Sequence, residues 1–350
     1  MKLGVALALI TTSLAGQEVF DVLLKNGRVV DPKNQRDGRM DIGISKGRIR
    51  KIAASIPSVQ ARKVLELGDY IVAPGLIDLN ANFGPNGVDP DHNELRACTT
   101  TAVDAGSADP SSFASFKARV IDRSKTRVLV FLSPGANADA AATVARANPQ
   151  IVAGFRATGG APLPAALSEW TAFGDGPGLR PGDIQTRFYR EGGTPEAARG
   201  VIHDLGHGSD GFRFRVAAPA VKQGRLPDTI STGLDARSVM LPRVSMTNVM
   251  TKMMALGVPL AGVIERATSA PARALRRSDL GSLEEGGVAD IAVLETRAGN
   301  FGLLDAGREK HIADREVRCV MTLRNGTIVW DAEGLGVTHW RDAGPYSNFK

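Results

Sequence analysis

The sequence has few of the residues that bind transition metals, since its 350 residues include five histidines and two cysteines. Cys98 and Cys319 are far apart and share no motif spacing, so no cysteine motif for metal or redox chemistry is indicated. One disulfide bond and two isolated buried thiols both remain open for this pair. Low-complexity stretches and long runs of one charge are also missing, which excludes extensive disorder.

Aromatic residues are scarce, at 5% of the chain, and this bears on the meaning of the net charge of +6. The lysines and arginines are scattered among acidic residues, and no basic stripe is interleaved with aromatic side chains. We therefore predict a generally basic surface and no nucleic-acid partner. The hydrophobic fraction of 43% and the charged fraction of 23% are ordinary for a chain that buries a core.

No hydrophobic run is long enough to span a bilayer, so no membrane partner is predicted. An apolar run at residues 3–10 follows Lys2, and small residues ending at Ala15 follow it. This order is typical of a short secretory signal peptide, here residues 1–15. Gln17 stands where a lipoprotein would need cysteine, so we expect a soluble exported protein, periplasmic or secreted. A disordered start or a first strand is the alternative.

Segments rich in β-forming residues lie near both ends of the chain. Asn26-Gly27 and Asn325-Gly326 separate such runs and are typical of hairpin turns. The simplest packing joins both ends in one small β-sandwich domain, formed by residues 16–70 and 288–350.

The middle of the chain, residues 71–287, alternates apolar strand-like runs with helical patterns. This alternation predicts a parallel sheet, and the length fits an α/β fold of the (β/α)8 TIM-barrel type. Seven strands are convincing. The stretch between residues 157 and 183 is too short and too rich in glycine and proline to hold a helix, a strand and another helix. We therefore expect a barrel that is truncated around its fifth strand or distorted there.

The run Ile-Val-Ala-Pro-Gly-Leu-Ile-Asp at residues 71–78 looks like the first barrel strand of the amidohydrolase superfamily. Residues 99–107, 260–275, 281–291 and 300–305 also follow that family closely, so the resemblance covers nearly the whole chain. The chain resembles the dihydroorotase-like branch that includes D-aminoacylase and N-acyl-amino-acid deacetylases. This resemblance implies a family activity in which zinc assists hydrolysis of amide C–N bonds, in N-acyl amino acids or cyclic amides.

The first family ligands are replaced, so the chain resembles a degenerate member. The family strand ends in Asp-x-His-x-His, whereas Asn80 and Asn82 stand at the two histidine positions. Arg156 stands where a metal-bridging lysine is expected, and Arg187 stands where the sixth strand carries a histidine. The fifth-strand histidine has no counterpart.

The last two strands show the same departure. His207 matches a histidine of the branch on the seventh strand. On the eighth strand, Gly233 replaces the aspartate that binds metal and accepts a proton from its hydroxide, and Asp235 replaces the next histidine. The resemblance therefore implies the fold without implying the activity.

These replacements disfavour zinc, and no cofactor is expected. Asparagine offers a neutral amide oxygen, and arginine has no lone pair to donate. One pair of unit charges about 4 Å apart is worth roughly 4 kcal/mol at an effective dielectric constant near 20, so two arginines repel a dication strongly. A new site formed by His203, His207 and Asp235 is an alternative.

The pocket candidates are the side chains that the resemblance places at the barrel mouth, namely Asn80, Asn82, Asp104, Arg156, Arg187, His207 and Asp235. We expect an arginine-lined pocket for a small carboxylate-like anion, because arginine binds carboxylates in a forked geometry. The alternative is that each arginine pairs with an acid such as Asp104 or Asp235, because an unpaired buried charge is costly.

Three functions follow as hypotheses. The first is a metal-free pseudoenzyme that binds a ligand, in keeping with the coordinated loss of ligands. The second is an active amidohydrolase or deacetylase with a rearranged site around His207, Asp104 and Asp235; no Gly-x-Ser-x-Gly elbow offers a serine nucleophile. The third is a poorly folding product. Self-association into a homo-oligomer is expected from the family.

Overall fold

The computed structural model describes residues 19–85, 87–134, 137–152, 154–156, 165–176, 178–194, 199–240 and 243–338, with Arg341 and Gly344; for residues 154–156 it describes the backbone. The predicted signal peptide, residues 1–15, therefore lies outside the described residues. Within these ranges no helix has the length and hydrophobicity needed to cross a membrane.

Strands and helices are numbered in chain order. The strands are β1 Val22–Asp31, β2 Arg36–Ser45, β3 Arg48–Ala53, β4 Val64–Glu66, β5 Ile71–Pro74, β6 Leu76–Ala81, β7 Thr99–Ala105, β8 Arg127–Phe131, β9 Gly154–Arg156, β10 Thr171–Gly174, β11 Ile184–Gln185, β12 Ile202–His203, β13 Ile291–Leu304, β14 Lys310–Arg324 and β15 Thr327–Asp331. The helices are α1 Pro90–Asn93, α2 Phe113–Arg119, α3 Ala138–Ala147, α4 Phe214–Lys222, α5 Met246–Ala255, α6 Leu260–Ala267 and α7 Ser269–Ala274.

Both ends of the chain meet in one eight-stranded sheet, in the order β15-β14-β13-β5-β1-β2-β3, with β4 paired to β1. The turns at the two edges of this sheet are linked through Ala289, since Gly326 N donates to Ala289 O and Ala289 N donates to Gly47 O. The sheet therefore curves around its own apolar core. It extends to Pro74, so the barrel begins at Leu76 and not at residue 71, because β5 pairs with β1 and β13.

The Asn26-Gly27 hairpin prediction is wrong. Both residues lie inside β1, where the register with β2 shifts between Leu24 and Gly27. Asn26 has φ +59° and its N–H donates to the Asp41 carboxylate at 2.8 Å. The pair thus forms a bulge within one strand. Asn325-Gly326 does connect two antiparallel strands, β14 and β15.

A ring of parallel strands forms the second layer. It consists of a three-stranded sheet, β6-β7-β8, and a four-stranded sheet, β9-β10-β11-β12. A β-bridge between Val130 and Ile151 joins the two sheets. Bridges from Asp204 to Thr229 and from Ala81 to Leu234 place the segment 229–234 between β12 and β6. The ring therefore closes with eight positions, and the predicted (β/α)8 fold class is confirmed.

The expected loss of the fifth strand is wrong, because β10 occupies that position and pairs with both β9 and β11. Phe173 of β10 stacks on Phe131 of β8, with ring centroids 4.7 Å apart. Such contacts between alternate strands are typical of a packed barrel interior. The shortening affects the helical layer instead, because the described residues between β9 and β12 hold a single 3-10 turn, at Ala165–Leu167, and no α-helix.

Cys98 and Cys319 form a disulfide bond, with Cα atoms 5.4 Å apart. Cys98 precedes β7 of the barrel, and Cys319 lies in β14 of the sheet. Of the two alternatives that the sequence leaves open, the structure therefore has the disulfide bond, which joins the two layers.

We predict that Phe173→Ala destabilises the protein by about 3–5 kcal/mol, because it removes a buried ring from the barrel interior. Val59→Ala is the control, since Val59 is 89% exposed. The free energy of unfolding in urea measures both changes. A loss for Phe173→Ala as small as that of the control would mean that β10 is not part of the ring.

Candidate functional site

A polar cavity of about 230 Å³ opens at the carboxyl ends of the barrel strands. Its polar lining residues are Asn80, Asn82, Asp175, Thr186, Arg187, Ser209, Asp210, Asp235 and Arg237. Asn80 lies near the end of β6, and the others follow β6, β10, β11, β12 and the segment 229–234, which is the eighth position of the ring. This is the end of a barrel at which ligand sites are found.

Four of the predicted pocket residues line this cavity: Asn80, Asn82, Arg187 and Asp235. Arg156 ends β9, and its backbone pairs with Phe173; its side chain lies outside the described residues. The remaining two predictions, Asp104 and His207, are corrected by the structure. Both side chains are fully buried and do not line the cavity.

Arg187 is held between two carboxylates that the sequence did not single out. Its Nη1 donates to Asp175 Oδ2 at 2.7 Å, and its Nε lies 3.5 Å from Asp210 Oδ1. The Arg187 side chain is one-third exposed. The expected partners, Asp104 and Asp235, are not used; Asp175 follows the fifth strand, which sequence reasoning had missed. Arg187 is therefore a paired cation at the edge of the cavity.

The sequence resemblance puts Gly233 where the family has its proton-accepting aspartate, and the backbone closes over that place. Gly233 has φ +59°, a left-handed conformation that side chains rarely adopt. A Cβ atom at Gly233 would lie 2.4 Å from Gly208 N. Gly208 N itself donates to Thr232 O at 2.7 Å. No side chain fits there without displacing the backbone after the seventh strand.

Two buried carboxylates lie beneath the cavity. Burial raises the pKa of Asp204 to about 6, although hydrogen bonds from Ser231, Thr229 and Thr186 oppose the shift. Burial raises the pKa of Asp78 to about 7, and the negative charge of Asp204 adds to this. Thr186 Oγ1 donates to Asp204 and accepts from Asn80 Nδ2 at 3.2 Å. Asp204 is therefore linked to the lining residue Asn80 through the Thr186 hydroxyl. Asp78 in turn accepts a hydrogen bond from the Thr232 hydroxyl.

His207 turns away from the cavity and contacts Lys252 of α5. Its Nε2 lies 2.7 Å from Lys252 Nζ, and its Nδ1 lies 2.9 Å from Gly208 O. The imidazole also stacks on Phe212, with centroids 5.0 Å apart. Burial and the Lys252 charge lower the pKa of His207 well below its usual value. Both ring nitrogens of this neutral histidine are engaged, so it presents no free base to the cavity.

Asp104 and Asp235 are also occupied by local donors. Asp104 accepts hydrogen bonds from Phe83 N and Ser107 N, at 2.8 and 2.7 Å. Asp235 accepts from Arg237 N and Ser238 N, at 2.9 and 2.8 Å. Burial raises the pKa of Asp235, but these hydrogen bonds outweigh burial, so that its pKa lies below the usual value. Of the three residues in the rearranged site suggested by the sequence, Asp235 lines the cavity, whereas Asp104 and His207 do not.

The donor set at the mouth does not fit the family's zinc ions. Asn80 donates its amide to Thr186, and Asn82 Oδ1 accepts from Gly84 N at 3.1 Å. His203 lies beside Asp228, away from His207. In the part of the chain that the structure describes, no three histidine, cysteine or acidic residues are grouped to hold a metal ion. Zinc requires such ligands at about 2.0–2.3 Å.

A closed parallel ring with its polar cavity at the strand ends defines a (β/α)8 barrel protein. No model of a protein family matches the chain. A deacetylase of Brucella anthropi is 26% identical over 360 residues, which cover 85% of this chain and 88% of that protein.

Two solved structures share the fold. An adenine deaminase has a TM-score of 0.79 and 22% identity, over 89% of this chain and 100% of that chain. A dihydroorotase has a TM-score of 0.77 and 21% identity, over 89% of this chain and 99% of that chain. The chain is thus similar in sequence to a deacetylase over most of its length, and it shares the fold of these two solved structures.

The buried Lys252 should make stability depend on pH. Burial lowers its pKa from 10.5 to about 7, so between these pH values the unfolded chain holds a proton that the folded chain lacks. Stability therefore rises with pH across this window. We predict that the free energy of unfolding of wild type rises relative to that of Lys252→Met from about pH 7 to 10. The rise is about 1.4 kcal/mol for each unit of the pKa shift.

Urea unfolding at several pH values tests this prediction. Lys222→Met, at an exposed position of α4, is the control and should show a constant difference from wild type. His207 does not contribute above pH 7, because it is neutral in both states. A difference between wild type and Lys252→Met that stays constant with pH would contradict the lowered pKa.

Proposed function

We propose that this chain is a metal-free pseudoenzyme of the amidohydrolase superfamily that binds a small amino-acid-like carboxylate at the barrel mouth. The close approach of Gly233 to Gly208 carries the proposal, because it fills the place of the family's proton acceptor with backbone. The carboxylate that activates the nucleophilic water in the family therefore has no counterpart at its own position.

The charges around the cavity support a ligand with both acceptor and donor groups. Three lining carboxylates, Asp175, Asp210 and Asp235, stand against two lining guanidinium groups, Arg187 and Arg237. This balance does not favour a simple anion. A ligand carboxylate can contact the outer edge of Arg187, while an ammonium or amide N–H of the same ligand donates to a lining carboxylate.

Arg187 is well placed for this role. Its Nη1 is fixed by Asp175, and Nη2 has no hydrogen bond among the described residues. A guanidinium group held by an acid on one side is pre-oriented, so little side-chain entropy is lost when its other side binds a ligand. The Asp175–Arg187 pair thus supports binding without any metal.

We predict that the purified protein holds less than about 0.1 equivalent of zinc, before and after incubation with Zn²⁺, because the site lacks zinc ligands. Metal analysis by mass spectrometry measures the content, and N-acyl amino acids serve as substrates in a parallel hydrolysis assay. Near one equivalent of bound zinc, or zinc-dependent amide hydrolysis, would refute the pseudoenzyme.

We predict that Arg187→Met weakens binding of N-acetylalanine and alanine at least about tenfold, because it removes the charge-assisted contact. Calorimetric titration of wild type and variant measures this. Arg190→Met is the matched control, since Arg190 approaches Asp175 O at 3.4 Å yet lies outside the lining. Equal affinities in wild type and Arg187→Met would exclude Arg187 as the carboxylate-binding residue.

A further inference from the structure

A second cleft, of about 270 Å³, lies at the other end of the barrel strands. Among its lining residues, Arg127 begins β8, the third barrel strand, and Gln150 precedes β9, the fourth. Arg277 follows α7, and Arg324 ends β14 of the small sheet. The cleft therefore lies where the barrel meets the sheet, and it shares no lining residue with the mouth cavity.

Three guanidinium groups converge on this cleft, and two carboxylates balance them. Arg127 Nη1 lies 2.5 Å from Asp290 Oδ2, and Arg324 Nη1 lies 3.3 Å from Asp290 Oδ1. Arg277 forms a two-point pair with Asp279, with both distances 2.7 Å. Three positive charges against two negative charges leave one positive charge in excess. Burial and the charges of Arg127 and Arg277 lower the pKa of Arg324, although Asp290 opposes this.

Two lining side chains of this cleft have buried polar atoms without a partner among the described residues. Arg324 Nε is a donor that no acceptor reaches, and Gln150 Oε1 is an acceptor that no donor reaches. Buried polar groups are nearly always hydrogen-bonded, so an unpaired donor and an unpaired acceptor in one cleft indicate a missing ligand. That ligand needs a negative charge, acceptor atoms and a hydrogen-bond donor.

We propose that this cleft binds inorganic phosphate. Arginine forks match phosphate oxygens in geometry and charge, so Arg324 Nε and the other two guanidinium groups can donate to it. Near neutral pH inorganic phosphate also carries an O–H, which donates to Gln150 Oε1. Sulfate has similar size and shape but no O–H.

Phosphate in this cleft ties three parts of the chain together: the start of β8, the loop after α7 and the end of β14. A ligand that binds the folded chain and not the unfolded chain stabilises the fold. The site is therefore expected to link the barrel to the small sheet, independently of any ligand at the mouth.

Calorimetric titration of the full chain with inorganic phosphate, at about pH 7, tests the site. We expect a Kd below about 1 mM for wild type. Arg324→Met should raise that Kd about tenfold or more, through loss of a charge-assisted contact. Arg277→Met, at the more exposed edge of the cleft, should do the same if Arg324→Met fails to fold. Arg273→Met is the matched control, because Arg273 pairs with Glu265 outside the cleft.

Arg187→Met should leave phosphate binding unchanged, which separates this site from the proposed function at the mouth. Sulfate should bind about tenfold more weakly than phosphate, and Gln150→Leu should remove that preference. Absence of saturable phosphate binding up to about 10 mM in wild type, or an unchanged Kd in Arg324→Met and Arg277→Met, would overturn the site. Equal affinity for sulfate and phosphate in wild type would overturn the assignment of Gln150 Oε1 as the acceptor of an O–H.

Discussion

The barrel closes between its first strand and the segment 229–234, and the buried carboxylate of Asp78 ties these two together. Its Oδ1 accepts from Thr232 N at 3.0 Å and its Oδ2 accepts from the Thr232 hydroxyl, which fastens the first strand to the eighth segment. That segment is joined to its neighbours by isolated bridges, so it relies on this side chain more than a fully paired strand would. The same contacts set the height of Asn80 and Gly233 at the mouth. The site geometry thus follows from how the ring closes.

Ion pairs join neighbouring strand ends at the mouth of the barrel. The main one is formed by Asp175 and Arg187, at 2.7 Å. The partners come from adjacent strands, the fifth and sixth, so the pair joins neighbouring positions of the ring. The pair has no net charge. What it offers a ligand therefore depends on which N–H groups of Arg187 point away from Asp175.

Sequence reasoning predicted the barrel, the joined termini and four of the residues that line the cavity, because apolar periodicity and turn residues report local structure. It missed β10, since four residues among glycines and prolines carry too little pattern. It misplaced His207, which the resemblance put at the mouth, because the backbone leaves the strand conformation at Gly206, where φ is +52°. It could not pair Arg187 with Asp175 once the fifth strand was missed. The sequence feature that could have revealed β10 is the short run Thr171–Gly174, which is followed directly by Asp175.

The disulfide bond between Cys98 and Cys319 spans 221 residues of sequence, and nearly all of the barrel lies inside the loop that it closes. A single cut by a protease anywhere in that loop would open the ring of covalent bonds without separating the chain into two molecules. The fragments would stay tethered at the junction between barrel and sheet, where the start of β7, the second barrel strand, meets β14. Under oxidising conditions such a cut leaves one covalently joined molecule, whereas with reduced cysteines it leaves two chains held together by non-covalent contacts alone.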